Sequence, residues 1–337
     1  KMTMPGRFFV QQFLDRAQKK SCRYAIIEVT SEGIKQFRHR FIKFDVAVLT
    51  NIAPEHIESH GSFERYVRAK LDFFWRLPKE SIAVVNSEDA YTERFLGATR
   101  AHPMLYGREE ITRGNKQWSI QSFRADINGC DLTIDGHRIT TALPGEFNGG
   151  NILAAIAVGL SQHYTLDRIA RALENATSPV GRVEYVQRDP FAIVVDYAHT
   201  PDSLQKLYAL FHHSHERLIC VFGATGGGRD KWKRPEFGKI AAEFCWEIIL
   251  TNEDPYEEDP QDIIKDIAKG IPKEKKYQQI IDRRKAIEEA VTRAKPGDAV
   301  LITGKGAEPW MMVADGKRIA WDDREIARAI LKDTAPK

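Results

Sequence analysis

The sequence predicts a two-domain α/β protein: a mainly parallel sheet that also carries antiparallel hairpins, followed by a smaller Rossmann-like domain. Three observations lead there. Short apolar runs alternate with helical segments along the whole chain, the pattern of parallel strands joined by helical crossovers. One stretch, 118–143, alternates apolar and polar residues between turn dipeptides, as antiparallel hairpins do. At 337 residues the chain also exceeds what one compact core usually organises, and a small, polar, proline-containing stretch, Ala176-Thr177-Ser178-Pro179-Val180-Gly181, is placed to divide it.

Taken in order, the spacing predicts helices over Phe8–Lys20 and Ser62–Leu77, the second opening on a capping Ser62. Tyr24–Val29, Val46–Thr50 and Ile82–Val85 read as buried strands. The hairpins follow, with Ile120, Phe123, Ile127, Leu132, Ile134 and Ile139 separated by Asn128-Gly129 and Asp135-Gly136. A helix begins near Asn148. Beyond the linker a second series starts, with strands at Ala192–Val195, Leu218–Phe222, Ile248–Leu250, Gln279–Ile281 and Ala299–Ile302. The division expected is therefore 1–178 and 179–337. No internal repeat or low-complexity tract is found.

Composition narrows the class. With 42% hydrophobic and 29% charged residues the chain is an ordinary globular protein. A net charge of +3, with bases interleaved among acids as in Lys273-Glu274-Lys275-Lys276, gives no basis for a nucleic-acid partner. No apolar run reaches the roughly 20 residues of a membrane span, and no signal-peptide pattern opens the chain. Cys22, Cys130, Cys220 and Cys245 are scattered without CxxC spacing; Cys220 lies in an apolar run and reads as core. The expectation is free thiols, no zinc and a cytoplasmic location. The chain begins with Lys1 rather than Met, which reads as a fragment.

Candidate chemistry gathers after predicted strands, where ligands of parallel sheets bind. Glu28 closes one strand. The next leads into Pro54-Glu55-His56-Ile57-Glu58, so a carboxylate and an imidazole would share one sheet edge, a divalent-metal arrangement of the kind phosphate-bound Mg²⁺ uses. Alone, each reads as a surface or capping residue. Lys70, inside a helix, reads as a solvated charge. In the second half, Asp196-Tyr197-Ala198-His199-Thr200-Pro201-Asp202 follows a strand and precedes a helix, and Thr200 or Asp202 serves equally well as its cap. Gly223-Ala224-Thr225-Gly226-Gly227-Gly228-Arg229-Asp230-Lys231 offers glycines for close backbone approach to an anion, with Arg and Lys as counter-charge; it is not a P-loop. Thr303-Gly304-Lys305-Gly306-Ala307-Glu308 makes a third loop on the same edge.

Read together, these segments resemble the Mur ligase family. The similar blocks include Met4-Pro5-Gly6, Glu28–Gly33, Thr50–Gly61, Tyr66–Lys70, Leu143–Asn148 with Asn151, Gly181–Glu184, Asp196–Asp202, Phe222–Pro235, Asp254-Pro255, Gly304–Glu308 and Asp322-Asp323-Arg324. The resemblance implies a central ATPase-like domain and a Rossmann-like C-terminal domain. It implies an ATP-dependent, Mg²⁺-dependent ligase, acting as a monomer, that adds a diamino acid, lysine or meso-diaminopimelate, to UDP-MurNAc-L-Ala-D-Glu through an acyl phosphate. Under it, Glu28 and His56 match Mg²⁺ ligands and Lys70 matches a lysine carbamylated to bind a second Mg²⁺. Asn148, Asn151 and His199 fall where adenine is held, and Arg182, Asp196 and Lys231 around the phosphates and ribose. Thr3, Ser31, Gln36 and Arg38 fall at the muramoyl-dipeptide, and Arg229, Asp254, Gly304 and Glu308 at the incoming amino acid.

The family's GTxGKT-type loop and UDP-binding domain are expected upstream of Met2. Tyr256 stands where diaminopimelate-adding members carry an arginine, and Ala307 replaces a common histidine. Glu253, Asp254, Glu257, Glu258 and Asp259 surround Tyr256 with negative charge, which favours lysine over diaminopimelate. Folylpolyglutamate synthase and cyanophycin-type ligases share the acyl-phosphate chemistry and remain alternatives, as does a non-catalytic Mur-like binding module.

Overall fold

The computed structural model describes residues 4–54 and 57–334. The chain divides into two compact units, one formed by residues up to 123 with 132–139 and 149–173, the other by 124–131, 140–148 and 174 onward.

In the first unit the elements run α1 (Arg7–Lys19), α2 (Ser31–Lys35), β1 (Val46–Leu49), α3 (Ile57–His60), α4 (Phe63–Trp75), β2 (Ile82–Asn86), α5 (Thr92–Ala98), β3 (His102–Tyr106), β4 (Glu110–Arg113), β5 (Lys116–Asp126), β6 (Gly129–Ile134), β7 (His137–Thr141), α6 (Glu146–Ser161) and α7 (Leu166–Glu174). One sheet takes the order β1 to β7. Its first three strands are parallel, with Val46 opposite Ile82 and Ile82 opposite His102, and β4 and β5 continue antiparallel. Helix α4 begins as expected, the Ser62 hydroxyl accepting the Arg65 N–H. Its inner residues Phe73 and Phe74, with Leu77 just past its end, pack with Ala47, Leu49, Ala83, Val85 and Phe95.

The expected strand over Tyr24–Val29 is not formed. Residues 24–30 have no regular structure, and Ile26 is 93% exposed. A strand needs a hydrogen-bonded neighbour, and this segment has none in the sheet; apolar composition without a ladder does not make one.

The second unit continues with β8 (Glu184–Gln187), β9 (Ala192–Asp196), α8 (Pro201–His212), β10 (Leu218–Phe222), α9 (Lys233–Phe244), β11 (Glu247–Leu250), α10 (Pro260–Ala268), β12 (Gln278–Gln279), α11 (Arg283–Arg293), β13 (Ala299–Thr303), β14 (Trp310–Met312), β15 (Arg318–Ala320) and α12 (Asp323–Thr334). The main sheet has the order β12-β11-β10-β13-β9-β8, parallel except where β8 meets β9. Alternate residues feed two cores. Val194, Cys220, Phe222 and Leu301 face one side with Leu207, Tyr208, Phe211 and Phe237. Val195, Val221, Ile249 and Ile302 face the other with Ile287, Ala290 and Ile330. Burial on both faces is why these strands read as unbroken apolar runs.

The expectation of free thiols is corrected in one place: Cys220 and Cys245 form a disulfide. The crossover from β10 through α9 returns the chain beside its starting strand, bringing the two Cα atoms to 6.0 Å, within bridging range. A separation of 25 residues carries no local signal of that. Cys22 is exposed and Cys130 buried, both free. Among the described residues no helix is long and apolar enough to cross a membrane.

Two adjacent glycines in α6 give a direct test of the first unit's packing. A Cβ on Gly149 would stand 2.1 Å from the Phe123 ring, whereas one on Gly150 meets nothing within 4 Å. Gly149→Ala is expected to cost about 1–3 kcal/mol through overpacking. Gly150→Ala should gain up to about 1 kcal/mol from helix propensity. Urea unfolding of the two variants checks both signs.

Candidate functional site

Because β9, β10, β11 and β13 run parallel, the loops after Asp196, Phe222, Leu250 and Thr303 leave the same edge of the second unit's sheet. The chain after β10 leads to α9 on one face of the sheet and that after β13 to α12 on the other, so the loops of these neighbouring strands part there.

The loop after β9 is fixed first. Both Asp196 oxygens accept backbone N–H groups, from Val183 at 2.7 Å and Ala198 at 2.6 Å. Burial holds this carboxyl above the usual aspartate range, and those two N–H groups only partly offset it. His199 Nδ1 lies 2.8 Å from the Tyr197 carbonyl, and the two rings are 4.5 Å apart. Arg182 lies over the other aromatic partner, its guanidinium 4.5 Å from the Tyr197 ring centre. Thr200 turns out to be the cap of α8, in a capping box with Ser203.

The loops after β11 and β13 are tied by Lys305. Its side chain is 0% exposed, and its ammonium donates to Asp254 at 2.7 Å and Glu308 at 2.8 Å. Asp254 also accepts the Met312 N–H at 2.8 Å, and Tyr197 reaches Glu308 at 3.4 Å. Burial opposes the lysine's charge, but the two carboxylates outweigh it and hold its pKa above the ordinary value. Glu253 is buried beside them, accepting the Thr225 hydroxyl at 2.9 Å. Burial raises its pKa, with Arg283 and Lys305 pulling the other way. Gly304, at φ +107°, leaves only 2.2 Å between a built Cβ and a Glu253 oxygen, so no side chain fits there.

Beneath both loops lies Arg283. It pairs with Asp323 at 2.9 and 2.8 Å, both side chains fully buried, and donates to the carbonyls of Asn252 (3.2 Å) and Thr303 (2.8 Å).

The glycine-rich loop after β10 wraps a carboxylate of its own chain. The Gly228 N–H donates to Glu258 at 2.7 Å, Lys231 reaches the same group at 3.0 Å, and buried Arg234 binds it at 3.0 Å and Asp266 at 3.0 Å. These contacts hold the Glu258 carboxyl below the usual glutamate range, although burial acts the other way. Exposed Arg229 lies over Tyr256, 5.2 Å from the ring centre. Tyr256 itself sits at φ +51°, with its N–H on the Met312 carbonyl at 3.3 Å and its ring against Gly227.

In the first unit, Ser31 lies 3.1 Å from His60, and Arg38 donates to Gln36 at 2.5 Å and to the Met4 carbonyl. Asn148 caps back onto the Pro144 carbonyl at 2.7 Å, with Asn151 exposed one turn further along α6. Lys70 is half-buried, its ammonium 5.2 Å from the Tyr66 ring centre. Glu28 does not end a strand: it is exposed on the irregular segment described above. Thr3 and His56 lie outside the described residues. Among the described residues no three His, Cys, Asp or Glu side chains gather as a metal site.

Sequence reasoning thus named Asp196, His199, Asp254, Gly304 and Glu308, which the second unit brings to one edge. It passed over Lys305, although that residue lies inside a quoted loop. It also missed Glu253 as a buried group, Arg234 and the Arg283–Asp323 pair. For Lys305 the signal was a lysine flanked by glycines immediately after a buried strand. For Arg283 there was none, because its partner is 40 residues away.

Two outcomes follow. Arg283→Met leaves Asp323 buried without its cation and is expected to cost about 3–5 kcal/mol in chemical denaturation. Glu253 has a raised folded pKa, so its ionisation opposes folding as pH climbs from the ordinary glutamate value to the raised one. Wild-type stability relative to Glu253→Gln should therefore fall across that window; a flat difference between the two pH profiles contradicts this.

Comparison with known proteins agrees with this architecture. The Mur ligase middle domain matches residues 1–159, and the domain described as "Mur ligase, glutamate ligase domain" matches residues 181–306. The UDP-N-acetylmuramoyl-L-alanyl-D-glutamate--2,6-diaminopimelate ligase of Chlamydia caviae is 38% identical over 338 residues, covering 98% of this chain and 68% of that protein. The enzyme of the same name from Synechococcus elongatus is 37% identical over 336 residues, with 98% and 67% covered. A solved structure of a ligase of that name is 27% identical, with a TM-score of 0.62 over 99% of this chain and 69% of the other. The chain belongs to the Mur ligase family.

Proposed function

We propose that the protein is an ATP-dependent amide ligase that adds meso-diaminopimelate to UDP-MurNAc-L-Ala-D-Glu, a step of peptidoglycan synthesis in the cytoplasm. The reaction class follows from the family. ATP phosphorylates a substrate carboxylate, the amine of the amino acid attacks the acyl phosphate, and phosphate departs. Cationic side chains are what such a transfer needs around the phosphoryl group. In this reading Arg182 and Lys231 serve there, and Asn148, Asn151, Asp196 and His199 hold the nucleoside. Ser31, Gln36 and Arg38, with Thr3, hold the muramoyl dipeptide.

The observation that carries the choice of amino acid is the pairing of the acids around Tyr256. Their count favours lysine only if they face a ligand, and each has another task. Glu253 is buried on Thr225, Asp254 holds Lys305, and Glu257 accepts the Asp315 N–H at 2.8 Å. Glu258 holds Lys231 and Arg234, and Asp259 caps α10. Glu253, Asp254 and Glu258 are thus engaged within the protein, leaving Glu257 and Asp259 as the exposed charges, while exposed Arg229 offers a guanidinium for a second carboxylate. The names of the relatives agree with diaminopimelate.

Mg²⁺ accompanies ATP in this chemistry, lowering the charge barrier to phosphoryl transfer. Glu28, His56 and carbamylated Lys70 are the residues proposed to hold it. Among the described residues no ligand cluster gathers, and His56 lies outside them.

The test is ligation by the whole protein of each amino acid in turn to UDP-MurNAc-L-Ala-D-Glu with ATP. Product with meso-diaminopimelate, at a kcat/KM well above that for lysine, is the expected result. Preference for lysine overturns the choice of amino acid, and no amino-acid-dependent ADP release with either overturns the function.

A further inference from the structure

Lys305 is a buried cation that the reaction scheme does not use. Its side chain is 0% exposed, so it does not present its charge to a ligand across an open surface. Yet among the described residues it is the one group bonded to both carboxylates assigned to the incoming amino acid, Asp254 and Glu308. Two acids brought this close without a cation would repel one another, and burying them unpaired is costly. With Lys305 between them, the trio carries one net negative charge. Exposed Arg229, held over Tyr256 on the adjoining loop, supplies one positive charge. One negative and one positive group together complement a zwitterionic centre, an ammonium and a carboxylate on the same carbon. A cationic side chain ending in an ammonium alone would leave Arg229 unanswered.

We propose that Lys305 is a specificity-determining positioning residue: by holding Asp254 and Glu308 and cancelling one of their charges, it makes the site select an amino acid with a zwitterionic far end over one with a purely cationic end. This rests on the reading of this face as the amino-acid site. Lys305 acts through the two carboxylates and touches no reacting atom. Removing its charge leaves two uncompensated acids, which favours a cation. Removing one acid as well restores the original balance.

The experiment measures kcat/KM of the whole protein for meso-diaminopimelate and for lysine, with KM for ATP and the melting temperature as controls. Lys305→Met is expected to lower the diaminopimelate-to-lysine ratio by about tenfold or more, while KM for ATP stays within about twofold. The charge-balanced Asp254→Asn/Lys305→Met variant is expected to recover the ratio to within about threefold of wild type. Lys305→Arg, which keeps the charge, should hold the ratio and carries the comparison if Lys305→Met does not fold. Equal losses for both amino acids, or a double variant no more selective than Lys305→Met, show a merely structural lysine and overturn the proposal. Wild-type protein that ligates neither amino acid overturns the functional reading instead, and this proposal with it.

Discussion

The candidate site of the second unit depends on one buried guanidinium. Arg283 lies on α11, behind the sheet edge, and its bonds go to Asp323 at the start of α12 and to the carbonyls of Asn252 and Thr303. Those carbonyls sit where β11 and β13 give way to their loops. Strand ends are where backbone groups lose their ladder partners, and a buried carbonyl without a donor is costly. Arg283 supplies the donors, Asp323 balances its charge, and the Trp321 indole adds a third hold on Asp323 at 2.8 Å. The ion pair is weak evidence for stability, since both charges are desolvated. What it provides is register: the loop bearing Glu253 and Asp254 and the loop bearing Gly304 and Glu308 start from one shared anchor.

Lys305 joins the two loops, and Glu308 passes the connection to Tyr197, over which Arg182 lies. Arg182, assigned to the nucleotide, is thereby linked to the groups assigned to the amino acid within one unit. On the neighbouring loop Glu258 plays the part an anion would play, filling the glycine-rich turn and drawing Lys231 and Arg234 onto itself.

How much of this was legible in the sequence follows from how local each cause is. Strands β9, β10, β11 and β13 were read correctly because burial on both faces writes an unbroken apolar run, as in Leu218–Phe222, whereas the part-buried or exposed β8, β14 and β15 write none and were not foreseen, and β12 forms at Gln278–Gln279 rather than 279–281. Ser62 announced α4 because a cap acts over three residues. The failure at Tyr24–Val29 has the opposite cause: a strand is a relation to a neighbour, and composition cannot supply one. Cys220 with Cys245, and Arg283 with Asp323, escaped for the same reason, being contacts made only after the crossovers close. The acids around Tyr256 were counted accurately, but their charge was misread, since counting does not reveal which of them are already spoken for.

Gly304 and Glu253 share a space that holds only one of two things. The glycine has room for no side chain because a carboxylate oxygen occupies it, and that carboxylate is kept in place by Thr225 on a third loop. Shortening residue 253 would clear that space but leave residue 304 at a φ of +107°, where L side chains are strained in any case. Glycine is held there by two separate constraints, the carboxylate and the backbone, so an exchange at 253 alone does not free 304 to vary.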